Sequence, residues 1–157
     1  MKIKGFQILI IVFMVIISAS IKGQSISITG NWNLNIPATS ITEAGADFTN
    51  PFASSGTSIA IDINVTGNKK FNVYVNKSDI TWNSALNLSV TRTTNGGPAG
   101  NISGGTSPVA IDNTQTLFFN GKGDKTGIQI IYSLSGVSVT LPAATYTTTV
   151  IYTLFQQ

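Results

Sequence analysis

The chain has 157 residues, with 9 Lys+Arg against 6 Asp+Glu and neither His nor Cys, a length that suits one domain. The missing residue types exclude zinc fingers, Cys or Ser-His nucleophile systems, His-ligated haem and disulfide scaffolds. The formal charge of +3 comes from Lys2, Lys4 and Lys22, because the other bases (Lys69, Lys70, Lys77, Arg92, Lys122, Lys125) match the acids (Glu43, Asp47, Asp62, Asp79, Asp112, Asp124) in number, so no basic groove for nucleic acid is expected.

Residues 1–23 have the anatomy of a signal peptide. Lys2 and Lys4 give a positive start, Ile8 to Ile17 is an apolar run, and Ser18, Ala19, Ser20 and Gly23 offer small residues to a peptidase. The run makes a helix of about 15 Å, half of a hydrocarbon core of about 30 Å, so no stable membrane span is expected after cleavage. Cleavage is expected after Gly23, with Ser20 as the second choice and an uncleaved anchor as the alternative. With no Cys after the run, a lipoprotein anchor is excluded. The expected location is secreted, periplasmic or at the cell surface. The domain, residues 24–157, must then be stabilised by core burial alone.

From Gln24 onward apolar residues alternate with polar ones, the period of a half-buried strand. Ile26, Ile28, Trp32, Leu34 and Ile36 share one parity, with Gly30 in the gap. The pattern recurs at Ile59, Ile61, Ile63 and Val65, at Phe71, Val73 and Val75, and at Leu86, Leu88 and Val90. It returns at Ile128, Ile130, Tyr132 and Leu134, and at Tyr146, Val150, Tyr152 and Leu154. Val109 to Ile111 and Leu117 to Phe119 are shorter candidates. Ser40 to Ser58 lacks a period and reads as a long loop, with one helical turn over Glu43 to Asp47 as an option. Gly67-Asn68 suggests a tight hairpin, and Gly121 to Asp124 another hairpin tip. Asn95 to Pro98 and Gly104-Gly105 bound a flexible loop. The expectation is an all-β fold: an antiparallel immunoglobulin-like β-sandwich of about seven or eight strands after a signal-peptide helix. A closed barrel is the alternative.

Few residues offer chemistry. A glycosidase needs two facing carboxylates, but Asp112 and Asp124 fall at turns, where carboxylates bond local amides, and Asp62 and Asp79 fall at strands. The segment Asn120 to Thr126 lacks the Gly that a phosphate loop needs before its Lys, because Asp124 stands there and no helix follows. No D-x-D-x-D spacing suggests calcium. Sequons at Asn64, Asn76, Asn87 and Asn101 are about as many as chance gives. No cofactor, metal or catalytic residue is expected. Trp32, Trp82, Tyr74 and Phe119 are the aromatic candidates for stacking on sugar rings. Trp32 shares the parity of Ile28 and Leu34 and reads as core, so Trp82, outside strict alternation, is the candidate platform. The segment Gln24 to Ile36 reads either as an ordinary first strand or as a strand that adds itself to another sheet.

The stretch Gln129 to Leu134 (QIIYSL), followed by Leu141 to Leu154 (LPAATYTTTVIYTL), resembles the end of bacterial pilin-like domains. These include the spore-coat-U and Csu-type domains and related fimbria-like secreted proteins, which close on a strand of the form L-P-A-G-T-Y-x-x-T-V-x-V. Ala144 stands where Gly is usual. The resemblance implies a structural subunit that a periplasmic chaperone holds by an edge strand and that joins its neighbours by donor-strand exchange. Carried over, Tyr146, Val150, Tyr152 and Leu154 lie on the chaperone-facing closing strand. Ile26, Ile28, Gly30, Trp32, Leu34 and Ile36 form the donor for self-association. The chain departs from many such pilins in lacking their disulfide. The expected function is thus a non-catalytic, exported surface or fimbria-like subunit. The alternative is a small carbohydrate-binding module that meets a glycan through Trp82.

Overall fold

The computed structural model describes residues 23–37, 41, 43, 46–56 and 58–157. The leader (1–22) and part of the helical-turn option (44 and 45) lie outside the described residues. The strands are β1 (Ser25–Thr29), β2 (Phe52–Ala53), β3 (Ala60–Asn64), β4 (Lys70–Thr81) and β5 (Asn87–Arg92), then β6 (Ile102–Ser103), β7 (Val109–Ala110), β8 (Thr116–Lys122), β9 (Lys125–Ser135) and β10 (Thr147–Gln156). Among the described residues they number ten, two more than expected, because β2 and β6 have two residues each and are too short to display a period, while β7 falls on the Val109 to Ile111 candidate. No helix occurs among the described residues, so none there is long and apolar enough to cross a membrane.

All strand pairs are antiparallel. One sheet runs β1-β3-β9-β5-β7, with β2 also beside β9, and the other runs β10-β4-β8-β6. Alternation explains the burial. Ile61 and Ile63 of β3, Phe71, Val73 and Val75 of β4, Leu88 and Val90 of β5, and Ile128 and Ile130 of β9 are buried, while the residues between them face outward. These residues come from both sheets and form one buried cluster. Phe118 and Phe119 break the alternation. The register slips between Val73↔Phe119 and Tyr74↔Leu117, leaving Phe118 as the extra residue of a bulge, so two successive rings point inward. Phe119 is 1% exposed and meets Phe71 edge-on at 6.4 Å. It is a core residue and cannot stack on a sugar.

Neither expected hairpin forms. Gly67-Asn68 joins β3 in one sheet to β4 in the other, and Gly123-Asp124 joins β8 to β9, again across the sheets. A positive φ (69° at Gly67, 53° at Asn68) sets the reversal of the chain but not whether the flanking strands pair. Each flanking pair has an apolar face to bury against the same core, and opposite sheets bury both. The two arches are fastened to each other. The Asp124 carboxylate accepts the Val65 N–H at 2.8 Å, and the Gly123 N–H donates to the Lys69 carbonyl at 3.0 Å.

The segment expected to be a flexible loop is tied down. Gly97 and Thr126 exchange two backbone hydrogen bonds, and the Arg92 N–H donates to the Gly105 carbonyl. The Arg92 side chain is only 5% exposed. Its Nε and Nη2 donate to the Gly104 carbonyl at 3.0 and 2.8 Å, and Nη1 donates to the Thr94 carbonyl and the Asn95 amide oxygen. Burial lowers its pKa, yet the carbonyl cage holds the guanidinium in place of a carboxylate partner.

Candidate functional site: the outer edge of the closing strand

The C-terminal strand β10 pairs with β4 on one side only. No strand pairs with its other edge among the described residues. The Gln157 N–H donates to the Lys70 carbonyl and the Gln156 N–H turns the opposite way, to the Gln24 side chain. Alternation then fixes the rest of the strand: Phe155, Thr153 and Ile151 bond to β4, while the backbone groups of Leu154, Tyr152, Val150 and Thr148 face outward. The same inward parity carries the apolar side chains. Leu154 is buried, and Val150 and Tyr152 are half-buried against the core. Tyr146 lies just before the strand and donates its hydroxyl to the Pro142 carbonyl at 2.6 Å. Three of the four closing-strand residues therefore share the inner face of one edge, and Tyr146 anchors the turn into it.

The edge has a distinctive composition. Sheet edges are usually blunted by charge, proline or brevity. The run TTTVIYTLFQ is ten residues long and has no charged residue, no Pro and no Gly. Its outward-facing Ile151 and Phe155 remain 40% and 49% exposed.

Behind the edge, the Tyr132 and Tyr152 hydroxyls hydrogen-bond to each other at 2.9 Å. Burial raises the Tyr132 pKa. Burial first, then the neighbouring Tyr132, pushes Tyr152 well above the ordinary phenol range. Trp32 stacks on Tyr132 at 6.2 Å with an interplanar angle of 11°.

The expected donor is only partly a strand. β1 stops at Thr29, because Gly30 takes φ 95° and a Cβ there would lie 2.0 Å from the Ser58 carbonyl oxygen. Residues 31–37 have no regular structure. Ile26 and Ile28 sit on β1, paired with Ile63 and Ile61 of the chain's own β3. Ile26 and Trp32 pack against the core, Ile28 and Leu34 are about two-fifths exposed, and Ile36 is half-buried. Four of the five β1 residues are exposed, so this strand is lightly held.

Trp82 is half-buried and packs against the core. Its indole N–H donates to the Leu86 carbonyl at 3.1 Å, and the Lys77 ammonium sits 5.2 Å from its ring centroid. Lys77 also pairs with Asp79 at 2.6 Å. Hydrogen bonds from Lys77 hold the Asp79 pKa below the usual carboxylate value. Asp62, Asp47 and Asp124 serve the backbone instead: Asp62 accepts the Gly127 N–H, Asp47 those of Phe48 and Val139, and Asp124 that of Val65. Among the described residues no group of His, Cys, Asp or Glu could hold a metal ion. The tyrosine pair and the Arg92 cage gave no sequence signal, because each joins residues that only the strand register brings together. No family model, curated protein or solved structure matches the chain.

Proposed function

We propose that this is an exported, non-catalytic surface or fimbria-like subunit that joins other copies by strand addition at β10. The observation that carries the reading is the long, uncharged, unpaired β10 edge, a form that folded chains otherwise protect. The strand order supports an immunoglobulin-like sandwich with one place vacant. That fold sets strands A, B, E and D in one sheet and C, F and G in the other. The order β1-β3-β9-β5 corresponds to A-B-E-D, and β4-β10 to C-F. The G position then falls at the bare edge of β10. The incoming strand in this reading is the segment Gln24 to Ile36 of a second copy, which backbone bonds would hold while alternate side chains fill the gap. A periplasmic chaperone that covers the same edge before assembly belongs to the same reading.

A proline tests it. The Val150 N–H points away from β4, so Val150→Pro leaves the β4 ladder intact and blocks the outer edge. The expected result is a folded monomer by light scattering under conditions in which the parent chain self-associates. Deleting residues 24–36 is expected to do the same. An unchanged oligomer profile in both variants refutes strand addition at this edge.

A further inference from the structure

The outward face of the four-stranded sheet carries a feature that strand addition does not use. On β4 the outward residues include Lys70 and Asn72, and on β8 Asn120 and Lys122. The register sets Lys70 directly opposite Lys122 and Asn72 opposite Asn120, and Ser103 of β6 continues the second row. With Asn101 and Gln157 these residues line a shallow depression of about 420 Å³, whose lining contains no Asp or Glu. Two ammonium groups facing each other across neighbouring strands repel, and neither Lys70 nor Lys122 has an ion-pair partner among the described residues. Asp124, the acid nearest in sequence, has a carboxylate oxygen committed to the Val65 N–H. The same row continues on its other side to Phe155, paired with Asn72, whose half-exposed ring meets Tyr74 edge-on at 5.4 Å.

We infer that this depression binds an acidic saccharide: a chain of hexoses bearing carboxylates, with the carboxylate between Lys70 and Lys122, the hydroxyls on Asn72, Asn120, Asn101 and Ser103, and a sugar ring against Phe155. The chemistry selects this class. Two facing cations match one anionic group. Side-chain amides and a hydroxyl supply donors and acceptors for vicinal hydroxyls, and an aromatic ring meets sugar C–H groups. A nucleic acid needs an extended basic track, whereas here the positive charge is confined to one end of one sheet. The site lies on a sheet face and not on an edge, so it stands whether or not copies join through β10.

The test uses the Val150→Pro chain, so that self-association does not intrude, and measures binding of a short oligogalacturonate by calorimetry. The expected result is saturable binding that weakens with salt and disappears with the methyl ester, which has the same rings without the charge. Lys70→Gln and Lys122→Gln are each expected to weaken it about fivefold, and together roughly twentyfold. Phe155→Ala weakens it without changing the salt dependence. Lys77→Gln removes the same charge elsewhere and leaves binding unchanged. Both lysine variants are expected to melt no lower than the parent, since each removes a repulsion. No binding to the acid, equal binding to the ester, equal loss in Lys77→Gln, or binding to single-stranded DNA as tight as to the oligosaccharide overturns the inference.

Discussion

Gly30→Ala is the sharpest probe of how the N-terminal segment is held. Gly30 has φ 95°, and an added Cβ would lie 2.0 Å from the Ser58 carbonyl oxygen and 3.2 Å from the Ile59 Cα. An L residue at positive φ costs about 1–2 kcal/mol, and moving a backbone carbonyl out of overlap costs about as much again, giving about 3 kcal/mol in all. The chain can relieve this locally. β1 is joined to β3 by five residue pairs and exposes most of its side chains, whereas the core strands bury theirs. Release of residues 24–36 is therefore cheaper than global unfolding. Hydrogen exchange read by mass spectrometry is expected to show the β1 amides exchanging about 100-fold faster, with β4 and β9 unchanged. Loss of the Trp32–Tyr132 stack should shift the tryptophan fluorescence, and the freed segment should raise the oligomeric fraction. Unchanged protection of β1, or equal loss of protection across β4 and β9, refutes the reasoning.

The tyrosine pair predicts an alkaline limit. Both phenols have raised pKa values in the folded chain, whereas in the unfolded chain they ionise near pH 10, at about the ordinary value. Their contribution is thus whole below about pH 10 and is lost as pH rises toward the folded values. The melting temperature should fall above that pH, and Tyr132→Phe with Tyr152→Phe should flatten the fall. An identical alkaline profile in the double variant sinks the argument. At neutral pH, Tyr152→Phe alone is expected to cost about 1–2 kcal/mol by orphaning the Tyr132 hydroxyl, more than the double variant costs. Arg92→Met empties the carbonyl cage around Gly104 and is expected to cost about 3 kcal/mol, or about 10 °C in melting temperature. It should also open residues 95–104 to proteolysis. A shift under about 2 °C contradicts the assigned role.

Periodicity made the all-β class and most of the core legible. Ile59 to Val65, Phe71 to Val75, Leu86 to Val90 and Ile128 to Tyr132 bury the side chains that alternation selects. What alternation could not reveal was pairing. Gly67-Asn68 has the chemistry of a hairpin turn, yet it spans two sheets, because turn residues report local φ and pairing is a tertiary outcome. Alternation also ran past Gly30 to Ile36, although the chain leaves the strand at Gly30, whose positive φ and missing Cβ let it lie against the Ser58 carbonyl. Phe118-Phe119 hid a bulge that reads as a parity error in sequence. The closing strand was visible as a strand, but its bare edge was not, because an edge is defined by the absence of a neighbour. The Lys70–Lys122 row needed the register as well. Fifty-two residues separate the two lysines, and each alone reads as an ordinary solvated charge.

Among the described residues, no strand pairs with the one that precedes or follows it in the chain. Until Gln115 has been delivered, only β1 with β3 and β5 with β7 have both halves present, and β9, which β2, β3 and β5 all need, begins at Lys125. Such a layout rewards loop closure late. A polypeptide threaded N-terminus first, from a ribosome or through a pore, stays pliable for most of its length and then sets almost at once. That delay suits passage through a narrow conduit. It also leaves unpaired strand edges without neighbours until the last quarter arrives, the condition under which long chains misassemble.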